Sequence, residues 1–176
     1  MQLKDAITLI QAADIRTTSA SAWADLGCGT GTFTYALAHL LAPQSTIYAV
    51  DRTPQQLPPA TSNKVELIFH QADFIKDTLS FPPLDGILMA NALHYIQDKA
   101  SLLERLKSYL APDGMFIIVE YDTVSANQWV PYPVGKASLQ NLFAAAGFTN
   151  IKALGERPSV YYNRSIYACQ FTRTLP

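Results

Sequence analysis

The chain has 176 residues, 49% hydrophobic and only 15% charged, where an average soluble domain carries roughly 25% charge. That composition excludes intrinsic disorder, which needs low hydrophobicity and high net charge. Thirteen Lys and Arg against fourteen Asp and Glu leave a net charge of -1, with no basic excess to track a phosphate backbone, so nucleic acid is not an expected partner.

In chain order, Leu3, Ile7 and Ile10 suit a short amphipathic helix within the first twenty residues. Ala22–Leu26 is an apolar run stopped by glycines, hence a first strand. Thr32–Leu41 carries Tyr35, Leu37, Leu40 and Leu41 at helical spacing, and Pro43 ends it. Strands follow at Thr46–Val50, Val65–Phe69 and Leu84–Ala90. Leu102, Leu103, Leu106 and Leu110 mark a helix expected to stop at Ala111-Pro112-Asp113-Gly114. Met115–Tyr121 is a fifth strand, Ala137–Ala146 a helix capped by Gly147, and the last two strands fall at Thr149–Leu154 and Tyr161–Phe171. Continuous apolar strands separated by helices predict a buried, mostly parallel sheet with helices on both faces. Ligands of such sheets sit outside the carboxyl ends of the strands.

Two cysteines, Cys28 and Cys169, cannot build a disulfide framework, and no Cys/His spacing suits zinc. The acid at Asp5 and the lack of a long apolar run argue against a secretion signal, and no stretch approaches the ~20 apolar residues of a membrane span. A soluble, cytoplasmic protein is the expectation. The low charge leaves much surface weakly polar, which points to a covered face such as a homodimer contact.

After the first strand, Asp25-Leu26-Gly27-Cys28-Gly29-Thr30-Gly31 runs straight into a helix. Glycines there permit a tight turn and bring a ligand against bare backbone, beside the unpaired N–H groups of a helix start. A P-loop needs Lys followed by Ser or Thr, and neither ends this loop. A dinucleotide fingerprint starting at Gly27 wants its third glycine where Thr32 stands. Asp51 closes the second strand, where a carboxylate can accept both hydroxyls of an adenosine ribose. Asp25 would repel a pyrophosphate and could hold an ammonium, which favours a ligand with an amino-acid end. Cys28 reads as a small spacer between glycines, not a nucleophile.

This segment resembles the first motif of class I S-adenosylmethionine-dependent methyltransferases. The similarity continues in order through Asp51, Gln71-Ala72-Asp73-Phe74, Leu84–Tyr95 and Leu110–Gly114. It implies a Rossmann-like, seven-stranded sheet with an antiparallel last strand, one methyltransferase domain over 1–176, and S-adenosylmethionine as cofactor with S-adenosylhomocysteine as product. By the same resemblance, Gly27, Cys28 and Gly29 lie along the methionine part and Asp25 near its ammonium. Asp51 takes the ribose, Arg52 lies beside the adenine, Asp73 and the Phe74 N–H bind the adenine, and Asn91 and Ala92 line the methionine side.

The Asn91-Ala92-Leu93-His94 sequence lacks the Asn-Pro-Pro-Tyr form of enzymes acting on planar amide or exocyclic amino nitrogens. It is similar instead to methyltransferases of small molecules, so a small-molecule acceptor is expected. His94 is the candidate general base, since its unperturbed pKa of ~6.5 suits proton transfer near neutrality. A backbone-bonding role is the other reading. His39 and His70 read as structural or solvent-facing.

The loop Asp122–Gly135 leaves the cofactor side of the sheet and holds Trp129-Val130-Pro131-Tyr132-Pro133, a stiff aromatic wall for an acceptor or, equally, a subunit contact. Tyr95 and Tyr121 join Trp129 and Tyr132 as candidate substrate contacts. The turn Gly155–Ser159 and Tyr161–Arg164 are expected on the same side, with Arg157 facing an anionic acceptor or solvent. Only about twenty residues precede the first strand, so no N-terminal lid is expected, and the prolines of Thr53–Asn63 leave that crossover little helix. Two other functions stay open: a non-catalytic protein binding S-adenosylmethionine or another adenosine ligand, and a nicotinamide oxidoreductase.

Overall fold

A computed structural model describes residues 1–159 and 165–174. Seven strands, β1 (Ala22–Leu26), β2 (Thr46–Asp51), β3 (Glu66–Gln71), β4 (Leu84–Ala90), β5 (Leu110–Tyr121), β6 (Asn150–Pro158) and β7 (Ser165–Thr172), form one sheet in the order β3-β2-β1-β4-β5-β7-β6. The first five are mutually parallel, and β7 lies antiparallel between β5 and β6. The expected strand residues Tyr161–Arg164 lie outside the described residues. Reversal of strand order between β1 and β4 opens a crevice at the carboxyl ends, where the glycine loop leaves β1.

Among the described residues four α-helices cover the sheet, two on each face. α1 (Leu3–Ile10) and α2 (Thr32–Leu40) pack Ala6, Leu9, Ile10, Phe33 and Leu37 onto Trp23, Ile47, Leu88 and Ile117. α3 (Lys99–Leu106) and α4 (Lys136–Ala145) press Leu102, Leu106, Leu139 and Phe143 onto Ile87, Met89, Phe116 and Ile118. The alternation of β4 and β5 explains why these strands read as unbroken apolar runs: each face meets its own helical layer. Gly147, at φ +90°, ends α4 in a Schellman motif, with Phe148 N–H on Phe143 O (2.9 Å) and Gly147 N–H on Ala144 O (3.0 Å).

Three boundaries differ from the sequence expectation. α3 stops at Leu106 and one 3₁₀ turn, Lys107–Tyr109, completes the helical stretch. Ala111–Gly114, expected as the stop of a helix, is the bulged opening of β5, because Leu84 pairs with Leu110 while Gly86 already pairs with Met115. Gly155–Pro158, expected as a turn, continues edge strand β6, where a register shift at Gly155 and a terminal proline are tolerated. The crossover from β2 to β3 carries no helix, as its prolines predicted.

Gly86 gives the fold one exacting contact. Its neighbour in the sheet is Trp23, whose buried indole occupies the space beside it; a Cβ there would sit 2.2 Å from the ring. Gly86→Ala is therefore expected to destabilise the protein by about 1–3 kcal/mol, the usual cost of overpacking a filled core. Urea denaturation checks this, and an unchanged midpoint would show that Trp23 can move aside.

Candidate active site

A cleft of about 390 Å³ opens at the carboxyl ends of β1, β2 and β4, lined by Gly27, Asp51, Arg52, Thr53, Ala72, Asp73, Phe74, Ile75, Asn91, Ala92, Tyr95 and Ile96. Eight of the residues named from the sequence meet there: Gly27, Asp51, Arg52, Asp73, Phe74, Asn91, Ala92 and Tyr95. Thr53, Ala72, Ile75 and Ile96 join them.

The glycine loop explains its composition. Gly27, Gly29 and Gly31 all hold positive φ, at +80°, +50° and +85°, where a Cβ is strained. At Gly27 a Cβ would also come within 2.9 Å of the Ala92 Cβ, whereas Gly29 faces open space. The first glycine thus lets the loop pass close to Ala92 in the cleft wall; Cys28 and Gly29 do not line the cleft themselves, and Gly29 is tied to it through its N–H on Asp51. Cys28 is buried, and burial raises its thiol pKa further from the thiolate, so it is inert as a nucleophile.

Asp51 organises this loop. Its Oδ2 accepts from the Gly29 N–H at 2.9 Å and its Oδ1 from the Thr53 N–H at 2.8 Å. A carboxylate offers roughly four lone-pair sites, so each oxygen retains room for a ligand hydroxyl. Asp73 is bound into its own turn, accepting from the Ile75 N–H at 3.0 Å, while its N–H meets Asp77 Oδ2 at 2.8 Å. Asn91 stands just past β4 at φ +53°, with its buried Oδ1 lacking any hydrogen-bond partner among the described residues. An unpaired buried acceptor in a cleft wall calls for a donor from a ligand.

Asp25 does not line the cleft. It is 1% exposed beneath the loop, where Thr34 Oγ1 of α2 donates to its Oδ2 at 2.6 Å. Burial raises its pKa to about 7, opposed by the Thr34 hydrogen bond and assisted by the negative charge of Asp51. With the folded pKa above the ordinary value of 3.8, the group's stabilising contribution is complete below about pH 4 and is lost as pH rises to about 7. Asp25→Asn removes this titration. The variant's stability relative to the parent is expected to improve by about 1.4 kcal/mol per pH unit across that window and level off above it. Paired thermal melts from pH 4 to 8 check this, and parallel curves would place the Asp25 pKa near that of an ordinary carboxylate.

Behind the cleft lies a pair that the sequence reading half missed. His94, in a 3₁₀ turn (Leu93–Tyr95), is 2% exposed, and Glu120 of β5 is 1% exposed. The His94 Nδ1 lies 2.7 Å from Glu120 Oε2, and its backbone N–H donates to Oε1 at 3.1 Å. Both carboxylate oxygens of Glu120 thus hold one residue. With Glu120 ionised, Nδ1 carries the proton and Nε2 keeps the lone pair. The rings of Tyr95 and Tyr121 flank the imidazole, with centroids 4.3 and 6.1 Å away. The signal for Glu120 was a single acid inside the apolar run Met-Phe-Ile-Ile-Val-Glu-Tyr, where a buried charge needs a partner.

The 122–135 loop docks on this turn: the Tyr132 N–H donates to His94 O at 2.9 Å, and Lys99 Nζ donates to Tyr132 O at 2.8 Å. Trp129 and Tyr132 are exposed, outside the walls of the cleft proper. Arg157, a candidate for an anionic acceptor, is paired with Asp5 at 2.5 Å.

Residues 18–155 match a family model described as a methyltransferase domain. Among curated proteins, trans-aconitate 2-methyltransferase of Escherichia coli O1:K1 / APEC is 35% identical over 95 residues, covering 54% of this chain and 37% of that enzyme. The match thus spans little more than a third of that relative. Among solved structures, Burkholderia thailandensis 1,6-didemethyltoxoflavin-N1-methyltransferase, holding its substrate and S-adenosylhomocysteine, superposes with a TM-score of 0.69 at 20% identity, covering 98% of this chain and 78% of that one. The N-methyltransferase NodS of Bradyrhizobium japonicum WM9, bound to S-adenosylhomocysteine, gives 0.67 at 13% identity, covering 97% and 85%.

Proposed function

From the premise that this chain belongs to the class I S-adenosylmethionine-dependent methyltransferase family, we propose that it transfers a methyl group from S-adenosylmethionine to a small-molecule nucleophile. The observation that carries the reading is the cleft itself, where Gly27, the Asp51 carboxylate and the orphaned Asn91 Oδ1 converge. These groups fit the cofactor's two polar ends. Asp51 would hold the ribose hydroxyls, Asp73 and the Phe74 N–H the adenine, and Asn91 Oδ1 would accept from the methionine ammonium. Asp25 would act through the loop it underlies, its charge favoured by that ammonium.

Bound there, the cofactor supplies a methyl on a sulfonium; the acceptor's lone pair takes it, the carbon–sulfur pair stays on sulfur, and S-adenosylhomocysteine leaves. The protein's own work is to orient the acceptor and take its proton. Orientation alone can lower such a barrier greatly. His94 Nε2, left without a proton when Nδ1 donates to Glu120, is the proton acceptor in this reading.

Isothermal titration calorimetry with S-adenosylhomocysteine, S-adenosylmethionine and NAD tests the cofactor. Binding of the two sulfur ligands, with none of NAD, is expected; the reverse would refute it. Detection of a methylated product from a small-molecule panel then separates an enzyme from a protein that only binds the cofactor.

A further inference from the structure

The charges around His94 restrict what can sit beside it. Lys99 Nζ, partly buried, donates to the carbonyls of Ile96 (2.6 Å) and Tyr132 (2.8 Å). Lys136 is paired with Glu156 at 2.6 Å, and Arg157 with Asp5 at 2.5 Å. Arg52 lines the same cleft as Tyr95, with Asp51 and Asp73. Against these stand Glu120, buried behind His94, and Asp122, whose Oδ1 accepts from the Lys136 N–H at 2.9 Å. Lys136 and Arg157 are thus neutralised by carboxylates, Lys99 spends two of its three donors on carbonyls, and Arg52 is outnumbered in the cleft lining by Asp51 and Asp73. A ligand with several carboxylates would have to break the Lys136 and Arg157 pairs or crowd onto Lys99 and Arg52, against the charges of Asp51, Asp73 and Glu120.

The same region exposes aromatic rings on fixed backbone. Tyr95, Trp129 and Tyr132 are 54%, 60% and 39% exposed. Tyr95 lies on the 3₁₀ turn, and the Tyr132 N–H is bound to His94 O. The Trp129 and Val130 N–H groups both bind Asn127 Oδ1, at 2.8 and 3.0 Å. Rings held this way lose little entropy when a flat molecule covers them, and stacking adds to the area buried.

Resting on the methyl-transfer reading, we infer that the acceptor is an electroneutral aromatic molecule carrying an O–H or N–H, stacked against Tyr95 and Trp129. A polycarboxylate does not suit this chain, although a relative that matches half of it is a trans-aconitate methyltransferase.

The test is calorimetric titration of the full chain, saturated with S-adenosylhomocysteine, using naphthol, hydroxyquinoline and trans-aconitate as probes. At least one aromatic probe should bind with an affinity insensitive to salt, and Trp129→Ala and Tyr95→Ala should each weaken it about tenfold or more. Trans-aconitate should give no heat. Salt-sensitive binding of trans-aconitate that survives Trp129→Ala would overturn the inference, as would aromatic binding unaffected by both substitutions. If S-adenosylhomocysteine binds and no aromatic probe does, the inference fails while the methyl-transfer reading stands. If S-adenosylhomocysteine itself does not bind, that reading falls and the inference with it.

Discussion

Replacing Asp51 by Ala is expected to weaken S-adenosylhomocysteine binding by about 10- to 150-fold. The lower end follows from losing one charge-assisted hydrogen bond to a ribose hydroxyl, worth about 1.5 kcal/mol, and the upper end from about 3 kcal/mol. A second effect acts in the same direction. Asp51 is the acceptor for both the Gly29 and Thr53 N–H groups, so the alanine variant also releases the loop from its ligand-ready shape. Asp51→Asn separates the two contributions. An amide offers one oxygen and one NH2, so it can keep one of these backbone bonds and must set N–H against N–H at the other. An intermediate loss is expected for it. Calorimetry on variants whose thermal melts remain cooperative checks both, and parental affinity in Asp51→Ala would remove this residue from the ribose site.

Why the glycine loop was legible in the sequence can be seen in the loop itself. The three glycines of Gly27-Cys28-Gly29-Thr30-Gly31 stand where the backbone takes positive φ, so the spacing of glycines is a direct imprint of the turn. Asp51 was visible for a similar reason: it is the first charge after an apolar strand, at the end where ligands bind. The boundaries that went astray share a different cause. A bulge and a turn call on the same residues. Ala111-Pro112-Asp113-Gly114 has the composition of a turn, yet a Cβ on Gly114 would lie 2.8 Å from Leu84 O, the close approach that a bulged strand demands. Gly155 lies under α1 in the same way, 2.8 Å from Leu9 O by the same measure. Local composition records the need for a small residue and leaves open whether the chain then reverses or runs on.

Glu120 was illegible for yet another reason. Its partner lies 26 positions earlier, on a turn that only the pairing of β4 with β5 brings alongside. No spacing along the chain encodes that meeting. Asp25 posed the converse problem. The motif marked it as functional, and its burial with Thr34, nine positions on, became clear only when α2 was seen packed across the strand. Conformations set by the next few positions, such as the glycine turns, were readable; hydrogen-bond partners met across the sheet or under a helix, Gly29 on Asp51 among them, were not.

Glu120→Gln should cost turnover about 10²- to 10⁴-fold while leaving S-adenosylhomocysteine affinity within about twofold of the parent, the range expected when a general base is disabled. The reason lies in which donor each oxygen serves. The parent carboxylate accepts from the His94 backbone N–H and from Nδ1–H. A glutamine can satisfy the backbone N–H with its one oxygen, but its NH2 then faces Nδ1 and demands an acceptor there. The imidazole answers by moving its proton to Nε2, and the nitrogen that would take the acceptor's proton becomes a donor. Nitrogen NMR of the His94 ring reads this exchange without any acceptor present: protonated Nδ1 in the parent, protonated Nε2 in the variant. Glu120→Ala is expected to behave differently, leaving two donors unpaired and a cavity beside them, and so to destabilise the fold by about 1–3 kcal/mol or more. If Glu120→Gln switches the tautomer and turnover of an identified acceptor is nevertheless unchanged, His94 takes no proton in the reaction. The pair would then serve only to pin the turn after β4 to β5.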